Sequence, residues 1–172
     1  MTVGHGILDR HRLGDLLAGA GVQLVVDVRR FPGSRTNPDV ARDALARWLP
    51  ERGIGYRWEE RLGGRRRRRP GDAEEDTWWT VAAFRAYAAH TRTPEFRAAL
   101  DLLLAEVKTW TVAVMCSEAM WWRCHRRLIA DVVALGHGVA VRHLLPDGRL
   151  AAHRPAEGAR VRPDGSLVWD GG

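Results

Sequence analysis

Short apolar runs closed by charged residues alternate along this chain with longer stretches of helical spacing. Residues 2–5 read as a short strand, and Leu13, Leu16 and Leu17 share one face of a helix that ends at Gly19 and Gly21. Residues 22–29, VQLVVDVR, form a continuous apolar run closed by charge, the pattern of a strand buried on both faces of a parallel sheet. FPGSRTNP is loop chemistry, residues 40–49 regain helical spacing, and residues 53–58 predict a third strand. From Glu59 to Asp76 periodicity disappears, and a long loop carries ERLGGRRRRRPGDAEED. Two helices are predicted over 81–90 and 93–108, the second with Thr93 as N-cap and Pro94 and Glu95 in its first turn. Residues 111–116, TVAVMC, read as another buried strand, a helix follows from about 122 to 135, and 139–144 reads as the last core strand. The tail repeats PDG and predicts a small hairpin or an irregular flap.

This alternation implies a three-layer, Rossmann-like α/β domain with a mostly parallel sheet and helices on both faces. One domain is expected over 1–172, with a core from 2 to 144 and a C-terminal hairpin or flap over 145–172. Ligands of such sheets bind beyond the carboxyl ends of the strands. His5, Asp27, Arg29, Cys116 and Glu118 all lie at or just beyond predicted strand ends, so the polar residues of interest are expected to converge on one edge. His5 and Cys124 should then face a common pocket.

Composition narrows the function classes. No apolar run approaches the roughly 20 residues of a membrane span, and MTVGHGILDR lacks the pattern of a signal peptide. A cytoplasmic protein is expected. Two cysteines are too few for a disulfide framework and are expected as thiols unless they serve redox or metal chemistry. A formal charge of +6 favours anionic partners. Part of that charge reflects coding bias, since Lys108 is the only lysine among many arginines. Arg65 to Arg69 form a basic run suited to phosphate contacts, although such runs are often only solvated loops. The eight tryptophans fall partly in pairs, Trp78 with Trp79 and Trp121 with Trp122, a pattern suited to a pocket wall or stacking platform.

The most concentrated chemistry lies in MCSEAMWWRCHRRLIAD, residues 115–131. Cys116 leaves a buried strand, where desolvation keeps a thiol protonated. Cys124 opens the predicted helix beside Arg123, His125 and Arg126, a setting that exposes a thiolate. Cys124 is therefore the candidate nucleophile or redox thiol, with His125 or Glu118 as proton handler and Cys116 as its protected neighbour. Two ordinary buried cysteines are the bland alternative. A metal site is also open: Cys116, Cys124 and His125, with His5 nearby in the fold, supply ligands for zinc or iron. A zinc-finger spacing is absent, and so is the cysteine-x5-arginine loop of tyrosine phosphatases. Arg29, Arg35, Arg123 and Arg126 would form an anion clamp if convergent, oriented by Asp27 and Glu118; a structural ion-pair network is the competing reading.

Those same residues carry a likeness. Cys116, Glu118, Trp122, Arg123, Cys124, His125 and Arg126, continued by Leu128, Ala130 and Asp131, resemble the hallmark of the domain-of-unknown-function 488 family. Further blocks match in order: VGH at 3–5, VDVRRFPGSR at 26–35, GIGY at 53–56, RLGG at 61–64 and FRAYAAHTRTPEF at 84–96. Gly6 departs from the pattern, which usually has serine there. The resemblance implies an α/β fold and a common pocket but no reaction. Three functions stay open: an enzyme using the Cys/His/Arg pocket on an anionic substrate, with nucleic acid or a nucleotide favoured and Trp121 or Trp122 as aromatic wall; a non-catalytic nucleic-acid-binding module; and a metal or non-covalent haem protein of a biosynthetic pathway.

Overall fold

The computed structural model describes residues 1–34, 36–68, 71 and 73–172. Strand β1 (Thr2–Gly4) leads through helix α1 (Arg10–Gly19), capped by Asp9, into β2 (Leu24–Asp27). A short 3-10 turn precedes α2 (Arg42–Glu51) and β3 (Gly55–Trp58). Helices α3 (Ala82–Thr91) and α4 (Pro94–Glu106) follow the long loop, and the Thr93 hydroxyl accepts the Phe96 N–H as the predicted cap. Strand β4 (Val112–Cys116) then enters the sheet, followed by a 3-10 turn (Trp121–Arg123), helix α5 (Arg126–Asp131) with its π-helical extension (Val132–Gly136), and β5 (Arg142–Leu144).

The strand order is β3-β2-β4-β1-β5-β6, with the first five parallel and β6 (Leu150–Ala152) antiparallel at the edge. The fold is therefore the expected three-layer α/β arrangement. β4 shows how the layers form: Val112, Val114 and Cys116 face α3, α4 and α5, whereas Ala113 and Met115 face α1 and α2. A strand buried on both faces keeps its two-residue alternation but needs apolar residues at every position, which is why it read as a continuous run.

The tail is less peripheral than the expected flap. Its first PDG turn joins β5 to β6, and its second joins β7 (Ala159–Val161) to β8 (Leu167–Trp169) in a separate hairpin. Trp169 is fully buried and belongs to the core beside α3 and α5, so residues 139–144 are not the last core strand. The paired tryptophans also divide differently from expectation. Trp79 is buried, and Trp78 meets it edge-on at 4.6 Å inside the core layer, so that pair packs rather than offering a platform.

Candidate functional site

The carboxyl ends of β1, β2 and β4 open onto a cavity of about 500 Å³. His5, Arg29, Cys116, Glu118, Arg123, Cys124 and His125 line it, with Tyr87 and Phe84 supplied by α3. His5 and Cys124 thus share one cavity. Asp27 lies beneath its wall, and Trp121, Trp122 and Arg126 stand outside its lining. Arg35 and Arg69 fall outside the described residues.

The two acidic and basic residues at the end of β2 are committed to each other. Arg29 donates to both oxygens of Asp27, at 2.8 Å from Nε and 2.6 Å from Nη2, and Nη2 also donates to the Val40 carbonyl at 2.8 Å. Tyr56 donates its hydroxyl to the same carboxylate, and burial together with that negative charge pushes the phenol upward, so it remains a donor. The remaining nitrogen, Nη1, lies 3.2 Å from His5 Nε2. A guanidinium only donates, so Nε2 accepts and the imidazole proton sits on Nδ1, which donates to the Gly6 carbonyl at 3.0 Å. Burial, reinforced by Arg29, lowers the His5 pKa to about 4. Neutral His5 is therefore a positioned polar wall, and four of the five Arg29 N–H groups are committed, which leaves one on Nη1.

The sulfur chemistry lies across the cavity. The ligand atoms of Cys116, Cys124 and His125 all lie within 4.8 Å of one another, with His125 Nδ1 3.5 Å from Cys124 Sγ and 3.9 Å from Cys116 Sγ. Both cysteines are buried thiols with no disulfide. Cys116 donating to Cys124 raises the former to about 12 and lowers the latter to about 6; burial opposes that fall, and Arg126 assists it. Cys124 is extended and lies two residues before α5, where the backbone N–H of Arg126 at the helix start also lowers it. Of the neighbouring arginines, only Arg126 bonds the sulfur among the described residues, its Nε donating to Cys124 Sγ at 3.4 Å. Arg127 instead covers the rings of Trp78 and Trp79.

Arg126 is 1% exposed, and among the described residues no carboxylate lies within ion-pair distance of it. Nη2 donates to the Glu118 carbonyl, and Nη1 lies 3.4 Å from the Thr2 hydroxyl. Behind Thr2 runs a buried chain that the sequence reading missed. Thr2 Oγ1 is 2.7 Å from His143 Nδ1, His143 Nε2 is 3.0 Å from His153 Nδ1, and His153 Nε2 is 2.8 Å from Asp131 Oδ1. Arg126 donates to Thr2, and His153 donates to the Asp131 carboxylate, which only accepts. Burial chiefly lowers His143 to about 3, so that ring is neutral. Trp121 stacks on His143 at 4.0 Å and closes the chain from the side. Only the histidine at 143, inside a predicted strand that is apolar but for it and Arg142, could have signalled it.

Two glycines allow this crowding. A Cβ on Gly4 would stand 1.9 Å from the Glu118 carbonyl oxygen, and one on Gly64 would stand 2.7 Å from His125 Nδ1. Both lie in the short blocks VGH and RLGG.

A groove of about 890 Å³ adjoins the cavity and shares Arg30, Phe31 and Arg65 with it. Phe31 is 63% exposed, with the Arg30 and Arg65 guanidinia 5.5 and 6.0 Å from its ring centre. Arg65 has a φ of 56°, the only non-glycine residue in the left-handed region among those described, a conformation that costs free energy and concentrates at functional positions. The basic run is only partly available to a ligand. Arg66 donates to the carbonyls of Glu60, Arg61 and Gly63, and Arg68 pairs with Glu74 at 2.7 Å, whereas Arg65 and Arg67 are exposed.

A family model described as a domain of unknown function, DUF488, matches residues 9–133. The chain belongs to that family. The matched span holds Cys116, Cys124, His125, Arg126 and Asp131, while Thr2, His5, His143 and His153 lie outside it. No curated protein and no solved structure matches the chain. Among the described residues no helix is long and apolar enough to cross a membrane.

Proposed function

We propose that this protein is an enzyme that acts on a phosphate-bearing anion, a nucleotide or a single-stranded nucleic acid, with Cys116, Cys124 and His125 as its reacting group. The observation that carries this reading is the convergence of that cluster with Glu118 and Arg123 on one cavity, which continues into a groove bordered by Arg30, Arg65 and Arg67. A reactive group, titratable neighbours and an electropositive entrance in one concavity are what an active site requires. Phe31, exposed between two guanidinia, is suited to stack on a base while the arginines take the phosphates. Relative to the sequence reading, anion binding moves from Arg29 and Arg126 to Arg30, Arg65, Arg67 and Arg123. The aromatic wall moves from Trp121 and Trp122 to Phe31, Phe84 and Tyr87.

The test uses a nucleoside triphosphate and a fluorescent single-stranded oligonucleotide as probes. Binding should weaken as salt rises, and Arg65→Gln with Arg67→Gln should weaken it uniformly across sequences and flatten its salt dependence. Mass spectrometry of the incubated probes should reveal a product that Cys124→Ala and His125→Ala abolish while binding persists. Binding without any product would favour the second reading, a non-catalytic nucleic-acid module, which the exposed Arg65, Arg67 and Phe31 support. Absence of binding even at low salt would sink both.

A further inference from the structure

We propose that Cys116, Cys124 and His125 form a three-ligand site for one tetrahedral divalent cation of the zinc class, with its fourth position facing the cavity. This deepens the reading above by naming the cofactor class of the same site.

The first argument is metric. Zinc bonds of about 2.3 Å to sulfur and about 2.0–2.1 Å to nitrogen, directed tetrahedrally, place a sulfur and a nitrogen ligand about 3.6 Å apart. The two sulfur–nitrogen separations here are 3.5 and 3.9 Å. These are within a few tenths of an ångström of a tetrahedral edge, and they are long for donors whose only role is to bond each other. All three donor atoms fit the same 4.8 Å compass, so one ion can reach them together.

The second argument is electrostatic. Buried Arg126 has no carboxylate partner among the described residues and donates to Cys124 Sγ. A buried guanidinium left without negative charge is costly, and a metal-bound thiolate supplies that charge while the N–H bond orients it. Metal binding would release the Cys116 proton to solvent, since only the thiolate is a ligand.

The third argument selects a bare ion over haem. A porphyrin occupies the four equatorial positions of its iron and leaves two that are opposite one another. Three donors converging from one side cannot share such an iron. Three protein ligands including two thiolates, with one position open to a ligand cavity, is the pattern of a catalytic rather than a structural zinc. An oxygen of the anionic substrate or a water could take that position, close to Arg123 and Glu118.

The full chain, reduced and stripped with a chelator, should be titrated with Co²⁺ as spectroscopic probe. The expected result is one equivalent per chain, with sulfur-to-cobalt charge transfer in the near ultraviolet, intense visible bands of tetrahedral cobalt, and displacement of both by Zn²⁺. Cys116→Ser and Cys124→Ser should each lose most of the charge-transfer intensity and weaken binding about 100-fold or more, the upper end of what even an indirect ligand partner contributes; circular dichroism would check that each remains folded. A wild-type titration without these bands, in protein whose two thiols are shown free by thiol titration, would overturn the proposal whatever the variants do. So would a native Cys116–Cys124 disulfide whose reduction yields no metal uptake, or cobalt spectra unchanged in the double serine variant. Anion binding by the stripped and the cobalt-loaded protein separates the two readings: if it persists while cobalt fails, the metal site alone is wrong, and if it is absent from both forms while cobalt binds, the anionic-substrate reading alone is wrong.

Discussion

Two clusters containing histidine meet at Arg126, and they differ in how completely their polar atoms are satisfied. On one side, Thr2, His143, His153 and Asp131 form a closed chain. Asp131 is fully buried and accepts from His153, from the Ala156 N–H and from the Trp169 indole at 2.8 Å. On the other side, Cys116, Cys124 and His125 make loose contacts of 3.4–3.9 Å, and His125 Nε2 has no partner. An unsatisfied buried polar group costs about 1–3 kcal/mol and asks for an explanation, whereas a satisfied network holds geometry. The closed chain fixes Arg126, and the open cluster is where chemistry has room to occur.

The comparison is broken most directly by removing the anchor of the closed chain. Asp131→Ala leaves His153, Ala156 and Trp169 donors without an acceptor and should cost about 3–5 kcal/mol of unfolding free energy. A denaturant midpoint close to wild type would mean that the chain does not hold the fold as described.

Acid should act next. His5 and His143 have folded pKa values of about 4 and about 3, below the ordinary 6.5, chiefly through burial. The unfolded chain therefore takes up protons that the folded chain refuses, one at each of these rings, and buried His90, also lowered, adds to them. Stability due to these rings is fully present above about pH 6.5 and is lost as pH falls toward 4 and then 3. Between pH 6 and 5 the loss should be about 2–3 kcal/mol per pH unit, close to two protons at 1.36 kcal/mol each. His143→Gln should reduce that slope by about 1.4 kcal/mol per pH unit, the contribution of one proton. If the slope is unchanged, the neutral state of His143 in the closed chain is wrong.

The smallest effect sharpens the open side. In Gly64→Ala the new methyl meets His125 Nδ1, so the ring must shift at a cost of about 1–3 kcal/mol. The slope of stability against pH should be unaltered, because the closed chain is untouched. A changed acid slope would show that the two clusters are coupled through Arg126.

Much of this arrangement was legible before the fold. Val25, Val26 and the β4 run gave a doubly covered parallel sheet, and the strand-end rule gathered His5, Arg29, Cys116 and Glu118 without knowledge of strand order. Thr93 was readable as a cap because its hydroxyl acts over three residues. The roles of the arginines were not legible. Arg29 and Arg126 resemble Arg30 and Arg65 in sequence, yet the first two are buried and engaged while the latter two are exposed. The tail forms a hairpin, one of its two expected forms, but where that hairpin packs was not legible, since Trp169 gains its place only by meeting α3 and α5 across the chain.

What the sequence by itself determined is whatever depends on near neighbours: the two-residue alternation of β4, the cap at Thr93, and the density of reactive side chains over 115–131. What only the tertiary structure decided is partnership. Thr2 and His143 are 141 residues apart and Thr2 and Arg126 are 124 apart, yet they bond because β1 lies between β4 and β5. Hydrogen bonds and charge pairing depend on distances of a few ångströms, and across such separations in the chain those distances are set by strand order, which local pattern does not encode.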